Sequence, residues 1–336
     1  MPTSSPVGSL LPAQSSALRS AAIFILTQNQ PLRVASLKTT LYFLFRHFNA
    51  HPGGARYPVI LLHEGDFSAS DQEAIRMGIR RNCRDSLQFE QLDASDFELP
   101  PHIDPERLRQ SLQDPPVPYW RNDRYRMMCR WWLVHFPRYA TRFDYVMRLD
   151  DDSFIEEPIA DPFVWAAQNG ASYVSNQIHL DCGICCLGLK SQFERLFPQR
   201  QADLDSLFAE QVVHPADPLT ERLRRLSATS GIPLPAEFLL RGRLPMPQIF
   251  YNNFFVTRSA FWQRPDVAGV IDQLDRTGGI FYFRWGDAPI QTLLVRLLCP
   301  ANQVGRFDFR YSKRLQREAF IDGDGGVHSY APDTYV

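Results

Sequence analysis

The chain has no surplus of charge of either sign: its 336 residues carry 36 Lys and Arg against 37 Asp and Glu, a net charge of −1. Without a global basic field, nucleic acid and anionic membrane surfaces are not expected partners. No stretch offers the roughly 18–20 uninterrupted apolar residues of a membrane span. Met1 to Ser20, rich in Ser, Pro and Ala, lacks the apolar centre of a signal peptide and reads as a disordered tail or as what remains after an anchor was lost. There is no Asn-x-Ser/Thr sequon, so N-glycosylation lends secretion no support. Cysteine is scarce and scattered: Cys83, Cys129, Cys182, Cys185, Cys186 and Cys299 do not make a disulfide framework. The group from Cys182 to Cys186 has apolar neighbours and no second Cys/His pair at metal spacing, which points to small core residues. No Gly-x-Gly-x-x-Gly follows the first predicted strand, so the dinucleotide fingerprint is absent.

What the chain does have is a core: 44% of its residues are apolar and 12% aromatic. Ala21 to Thr27 is a buried-strand run, Leu32 to Phe48 carries apolar residues at helical spacing, and Tyr57 to Leu62 reads as a second strand. Strand, helix, strand at this spacing predicts a βαβ unit and a parallel sheet whose ligands lie beyond the carboxyl ends of its strands. A Pro-rich connector over about 98–120 is expected to wrap the surface, Tyr125 to Tyr139 is an aromatic helix, and Asp203 to Ser227 looks helical with breaks near Pro215 and Pro218. The domain reading is one α/β catalytic unit over residues 21–336.

The most telling segment is Phe143-Asp144-Tyr145-Val146-Met147-Arg148-Leu149-Asp150-Asp151-Asp152-Ser153, a strand that ends in three consecutive carboxylates. Adjacent anions at the end of a buried strand repel one another and need a counter-charge. A hard divalent cation such as Mn²⁺ or Mg²⁺ is the usual one, and it keeps positions open for a diphosphate. The plainer alternative is an acidic turn capping the next helix. Two further segments bear on the choice. Tyr125-Arg126-Met127-Met128-Cys129-Arg130 precedes the acidic strand. Asp275-Arg276-Thr277-Gly278-Gly279-Ile280-Phe281-Tyr282-Phe283-Arg284-Trp285-Gly286-Asp287-Ala288-Pro289 follows much later. In the latter, Arg284 and Asp287 flank a Trp-Gly pair, a carboxylate beside an aromatic platform of the sort that sugars bind. A structural ion pair between Arg284 and Asp287 is the alternative there.

These segments resemble the fungal α-1,2-mannosyltransferases of glycosyltransferase family 15. The family's Tyr-Arg-His-Met-Cys-Arg is similar to Tyr125 through Arg130, and its Arg-Val-Glu-Pro to Arg148-Leu149-Asp150-Asp151. Its Asp-Lys-Thr-Gly-Gly-Phe-Phe-Tyr-Glu-Arg-Trp-Gly-Asp-Ala-Pro is similar to Asp275 through Pro289. The likeness runs from about Ala21 to about Tyr311. It implies a GT-A glycosyltransferase fold, a Rossmann-like mixed sheet flanked by helices. It also implies GDP-mannose as donor, a glycan acceptor, Mn²⁺ (or Mg²⁺), retention of anomeric configuration, and a Golgi or secretory lumen. Carried over by residue, it places Asp150 on the metal; Asp152 then supplies the second Asp of Asp-x-Asp, and His328, with a plain surface histidine as the alternative, is the nearest substitute for the family's third ligand. Tyr125, Arg148, Asp150, Gln28 and Arg284 fall near the donor, and Asp287 and Asn253 at the chemistry.

Three departures from the family pattern bear on mechanism. Its Ser-Asn-Phe-Glu corresponds to Asn252-Asn253-Phe254-Phe255, so a Glu discussed as nucleophile has become Phe255, and a phenyl ring forms no glycosyl ester. Its Gly-Tyr-x-His, a source of a metal ligand, corresponds to Arg310-Tyr311-Ser312-Lys313. An Arg after the first strand corresponds to Gln28. Two rival readings keep the fold: a UDP-sugar transferase, suggested by Leu149 to Phe154, and an inactive glycan-binding or scaffold relative, suggested by Phe255 and Lys313.

Overall fold

The computed structural model describes residues 20–51, 54–214, 217–313, 319–321 and 327–329, the last two segments as backbone only. The disordered tail expected over residues 1–20 lies outside the described residues except for Ser20. A seven-stranded mixed sheet forms the centre. In chain order its strands are β1 (Ala21–Leu26), β2 (Val59–His63), β3 (Leu87–Gln91), β4 (Tyr145–Leu149), β5 (Tyr173–Ser175), β6 (Phe254–Arg258) and β7 (Val304–Arg306), arranged β7-β5-β6-β4-β1-β2-β3. β6 alone runs antiparallel to its neighbours. The strand order reverses between β1 and β4, which places a crevice outside the carboxyl ends of those two strands.

The central strands are mostly apolar because both faces are covered, with Arg148 on β4 as a buried charged exception. Phe24, Ile60, Leu62, Val146 and Phe255 point into one core, beneath Trp131, Trp132, Phe136, Phe281 and Leu293. Ile23, Ile25, Val59, Leu61, Met147, Leu149 and Val256 point into the other, with Leu37, Leu41 and Phe163. The expected βαβ start is present, its helix spanning Pro31–Leu44 and continuing as a π-helical turn, Phe45–Asn49.

Two expectations are revised. The Pro-rich stretch does not simply wrap the surface: Pro105 opens a helix, Pro105–Gln113, capped by Asp104, and Ile103, Leu108, Val117 and Trp120 are buried. Its prolines serve as helix starters and turn formers rather than as a linker. The segment 203–227 holds a strand as well as helix. Helix Gln201–Ser206 is followed by strand Phe208–Val212, which pairs antiparallel with Arg243–Phe250, and helix Pro218–Ser230 begins only after an Asp217 cap. The short polar run Phe208–Val212 carries too little period-2 signal to be read as a strand.

Phe255 is fully buried, stacked on Tyr173 with ring centroids 5.2 Å apart and edge-on to Phe136 at 6.2 Å and Trp132 at 6.3 Å. Truncating so enclosed a ring leaves a cavity. Phe255→Ala is expected to lower stability by about 3–5 kcal/mol in urea denaturation, and a loss below about 1 kcal/mol would show that the ring does not hold the core.

Candidate active site

The acidic turn begins where β4 ends. Asp150 N–H donates to the Asn253 carbonyl at 2.9 Å, so the last bond of the β4–β6 ladder carries the two residues together. Asp150 Oδ1 accepts from Arg148 Nε at 2.9 Å, and Oδ2 accepts from Asn253 Nδ2 at 2.5 Å and from Lys313 Nζ at 3.0 Å. Burial pushes this carboxyl's pKa up, but the charges of Arg148 and Lys313 and the Asn253 bond outweigh it and hold the group well below the usual range. Asp150 is therefore a fixed anion.

Asp151 points the other way. Its carboxylate accepts from Arg33 Nη1 and Thr27 Oγ1, each at 2.9 Å, and its carbonyl from Thr40 Oγ1 at 2.9 Å. Burial pushes it up to about 6 against the pull of Arg33, with Asp152 and Asp150 adding to the rise. Asp152 Oδ1 lies 3.0 Å from Lys313 Nζ, and Oδ2 lies 3.8 Å from Arg33 Nη1. The first contact is an ion pair without hydrogen-bond alignment, for Asp152 Oδ1 is buried with no donor among the described residues.

Lys313 reaches this turn from a short strand, Tyr311–Lys313, that pairs antiparallel with Ser153–Ile155 and sets Lys313 opposite Ser153. Tyr311 Oη donates to Ser153 Oγ at 2.7 Å and fixes the register. Burial pulls the Lys313 pKa down, yet Asp150 and Asp152 more than restore it, and it stands well above its ordinary value. The counter-charge that the sequence assigned to a divalent ion is thus supplied by Arg33, Arg148 and Lys313.

Arg148 joins the acidic turn to the segment Asp275–Pro289. Its guanidinium, 2% exposed, lies over the Trp132 ring at 4.1 Å and donates through Nη1 to Asp287 Oδ2. Asn252 Nδ2 donates to the same oxygen at 2.7 Å and to Gln291 Oε1 at 3.1 Å, while Gln291 Nε2 donates to the Trp132 carbonyl at 3.0 Å. Asp287 is the first residue of helix Asp287–Leu298, where the macrodipole favours an anion. It is 4% exposed, so it faces this network rather than open solvent.

Seven of the expected residues fall into two groups. Asp150, Asp152, Arg148, Asp287 and Asn253 come together, and the amide Oδ1 of Asn253 is buried with no hydrogen-bond partner among the described residues. Tyr125 and Arg284 form a second group. Arg284 takes a left-handed φ of 69° and donates to Tyr125 Oη at 3.4 Å and to Asp181 Oδ1 at 3.3 Å, so its ion partner among the described residues is Asp181 and not Asp287. Gln28, just beyond β1, donates to Glu64 at 3.4 Å beside Arg124, away from the Asp150 contacts. His328 sits on a strand, Val327–Ser329, whose side chains lie outside the described residues.

The aromatic platform is corrected: Trp285 is fully buried, donates from Nε1 to the Leu187 carbonyl at 2.9 Å, and packs on Gly279, where a Cβ would meet its ring at 2.4 Å. All six cysteines are unpaired, and five are buried, as core residues should be. Arg33, Thr27, Asn252, Gln291 and Asp181 were not anticipated. None carries a local signal, because each is an ordinary polar residue whose partner is remote in sequence.

Among the described residues, no group of three His, Cys, Asp or Glu side chains is placed to hold a metal ion. Asp150 and Asp152 do converge, but on an ammonium. A divalent ion bridging them would meet a fixed like charge, so these residues as placed do not fit one.

A largely parallel sheet, a switch-point crevice and an acidic strand end define a GT-A glycosyltransferase. The profile of the family described as glycolipid 2-alpha-mannosyltransferase matches residues 3–177 and 248–314, and the chain belongs to that family. It is 23% identical over 304 residues to O-glycoside alpha-1,2-mannosyltransferase homolog 5 of Schizosaccharomyces pombe, covering 85% of this chain and 68% of that protein. It is 22% identical over 260 residues to glycolipid 2-alpha-mannosyltransferase 1 of Candida albicans, covering 75% of this chain and 53% of that protein. The fold is shared with the mannosyltransferase Ktr4p of S. cerevisiae in complex with GDP, at a TM-score of 0.69 and 18% identity over 94% of this chain and 76% of that one. It is also shared with core-mannan synthase A of Aspergillus fumigatus in its Mn/GDP form, at 0.67 and 19% over 99% and 87%.

Removing one partner of a buried ion pair strands the other. Asp287→Ala leaves the Arg148 guanidinium with Asp150 as its only carboxylate among the described residues and is expected to cost about 3–5 kcal/mol in urea denaturation. Arg148→Met combined with Asp287→Leu should be less damaging than the sum of the single changes. Wild-type stability in Asp287→Ala would show that the pair does not form.

Proposed function

We propose that the chain is a retaining α-1,2-mannosyltransferase that moves mannose from GDP-mannose to a hydroxyl of a mannoside in a glycan, in the Golgi lumen. The observation that carries this reading is the Arg148 bridge from Asp150 to Asp287. It unites the two segments most similar to the family at the carboxyl edge of the parallel strands, where α/β folds of this kind bind nucleotides. The relatives, named as alpha-1,2-mannosyltransferases, suggest the sugar and the linkage, and the GDP complexes of the two structural neighbours suggest the nucleotide.

The residues take the following parts. The diphosphate lies against the Asp150–Asp152 turn and the Tyr125–Arg284 pair. Asp287 is a positioning residue: it fixes Arg148 and Asn252, and through Arg148 the carboxylate of Asp150. Asn253 presents its unpartnered amide oxygen to the sugar carbon as positive charge develops there. Phe255 lies in the core, so position 255 supplies no carboxylate for a glycosyl ester. The substitution runs on one face. The acceptor oxygen bonds to the sugar carbon as the bond to the phosphate oxygen breaks, and that departing oxygen takes the acceptor's proton. The products are GDP and the extended mannoside. The carboxylates that would hold a divalent metal are paired with Lys313 instead.

The test is a transfer assay with a mannoside acceptor and the linkage read by NMR. GDP-mannose is expected to give an α-1,2 product, and GDP to protect against thermal unfolding more than UDP. Ligand at about 100 times its dissociation constant adds roughly 2.7 kcal/mol, enough to read as a melting shift. Asn253→Ala should lower kcat on the order of 10²-fold with a smaller change in KM. Equal or greater protection by UDP would overturn the choice of donor.

A further inference from the structure

The pair Asp150 and Asp152 holds a cation that belongs to the chain itself. We propose that the Lys313 ammonium is the resident cation of this site, standing in place of a divalent metal and donating its remaining N–H groups to the donor diphosphate, so that the chain binds a nucleoside diphosphate without one. The inference rests on the reading that the donor is a nucleotide sugar, and it deepens that reading by naming what the diphosphate meets.

Three observations support it. Lys313 Nζ lies 3.0 Å from Asp150 Oδ2 and 3.0 Å from Asp152 Oδ1, bridging the carboxylates as a shared metal would. An ammonium carries three N–H donors. One goes to Asp150, and among the described residues Nζ makes no other hydrogen bond, which leaves donors for an incoming phosphate oxygen. Lastly, the backbone that presents it is pinned: Lys313 sits opposite Ser153 in the ladder, and Ser312 Oγ donates to Glu156 at 2.6 Å. A pre-positioned point charge is how lysine binds phosphate.

The arrangement also excludes the ion it replaces. Asp150 already accepts from Arg148, Asn253 and Lys313. A divalent cation reaching both carboxylates must displace a protonated amine from a largely buried position, against like-charge repulsion.

The experiment measures two things on the full chain stripped with EDTA: GDP affinity by titration calorimetry with and without Mn²⁺, and Mn²⁺ binding by electron paramagnetic resonance. The wild type is expected to bind GDP equally well, within about twofold, in EDTA and in Mn²⁺, and to leave the free Mn²⁺ signal undiminished. Lys313→Ala should lose on the order of tenfold or more in GDP affinity in EDTA, the worth of one charge-assisted contact. Lys313→His should take up Mn²⁺ and bind GDP only in its presence. The wild-type arms need no variant to fold, and melting curves check those that do. Tenfold or greater dependence on Mn²⁺ in the wild type, or Mn²⁺ uptake by it, would overturn the inference and leave the mannosyltransferase reading standing. A wild type that binds no GDP in either condition would overturn both.

Discussion

The site hangs on one buried guanidinium. Arg148 lies on a central strand, flat against Trp132, and holds a carboxylate of the acidic turn on one side and that of Asp287 on the other. Burying an arginine is costly unless every face of it is used. Here the ring takes the π face and two anions take N–H donors, so the geometry of all three is determined together. Asn252 and Gln291 extend the network to the Trp132 backbone, closing a ring of contacts from strand to helix and back. Sheet, aromatic helix and the Gly-Gly segment are in this way locked to one centre.

Charge balance explains why three adjacent aspartates are tolerated. Each has its own cation or shares one: Asp151 has Arg33, Asp150 has Arg148, and Lys313 lies between Asp150 and Asp152. The three carboxylates also diverge, Asp151 toward the first helix and Asp150 and Asp152 toward the strand Tyr311–Lys313. A triplet of like charges in sequence thus becomes separate ion pairs in space, and the division of labour follows from direction. Asp151 ties the turn to Thr27 and Thr40, while its neighbours define the open end.

Much of this was legible in the chain, for physical reasons that can be named. The apolar run of Tyr145 to Leu149 breaking into carboxylates announced a strand with a polar end. The βαβ start was written in the helical spacing of Val34, Leu37 and Leu41 between two apolar runs. The likeness of Asp275 through Pro289 marked a second site segment. What escaped was pairing across distance. Nothing local distinguishes Arg33 from any other helix arginine, or Asn252 from a turn residue. Lys313 was visible as a departure, but its position between two aspartates depends on a strand register set by Ser153 and Tyr311. Trp285 misled because Trp beside Gly and a carboxylate suits a sugar platform, whereas the absent side chain of Gly279 lets the indole sink into the core.

The contacts that make the site span unusual distances along the chain. Thr27 reaches Asp151 across 124 residues, Arg148 reaches Asp287 across 139, and Lys313 reaches Asp150 across 163. Long loops must close before such contacts reward the chain, so they belong to the late part of folding. During synthesis the three aspartates emerge well before Lys313 does, and for that interval Asp152 lacks its closest cation. The short strand Tyr311–Lys313 therefore acts as a keystone: it arrives among the last of the described elements and completes the charge balance of a turn made much earlier.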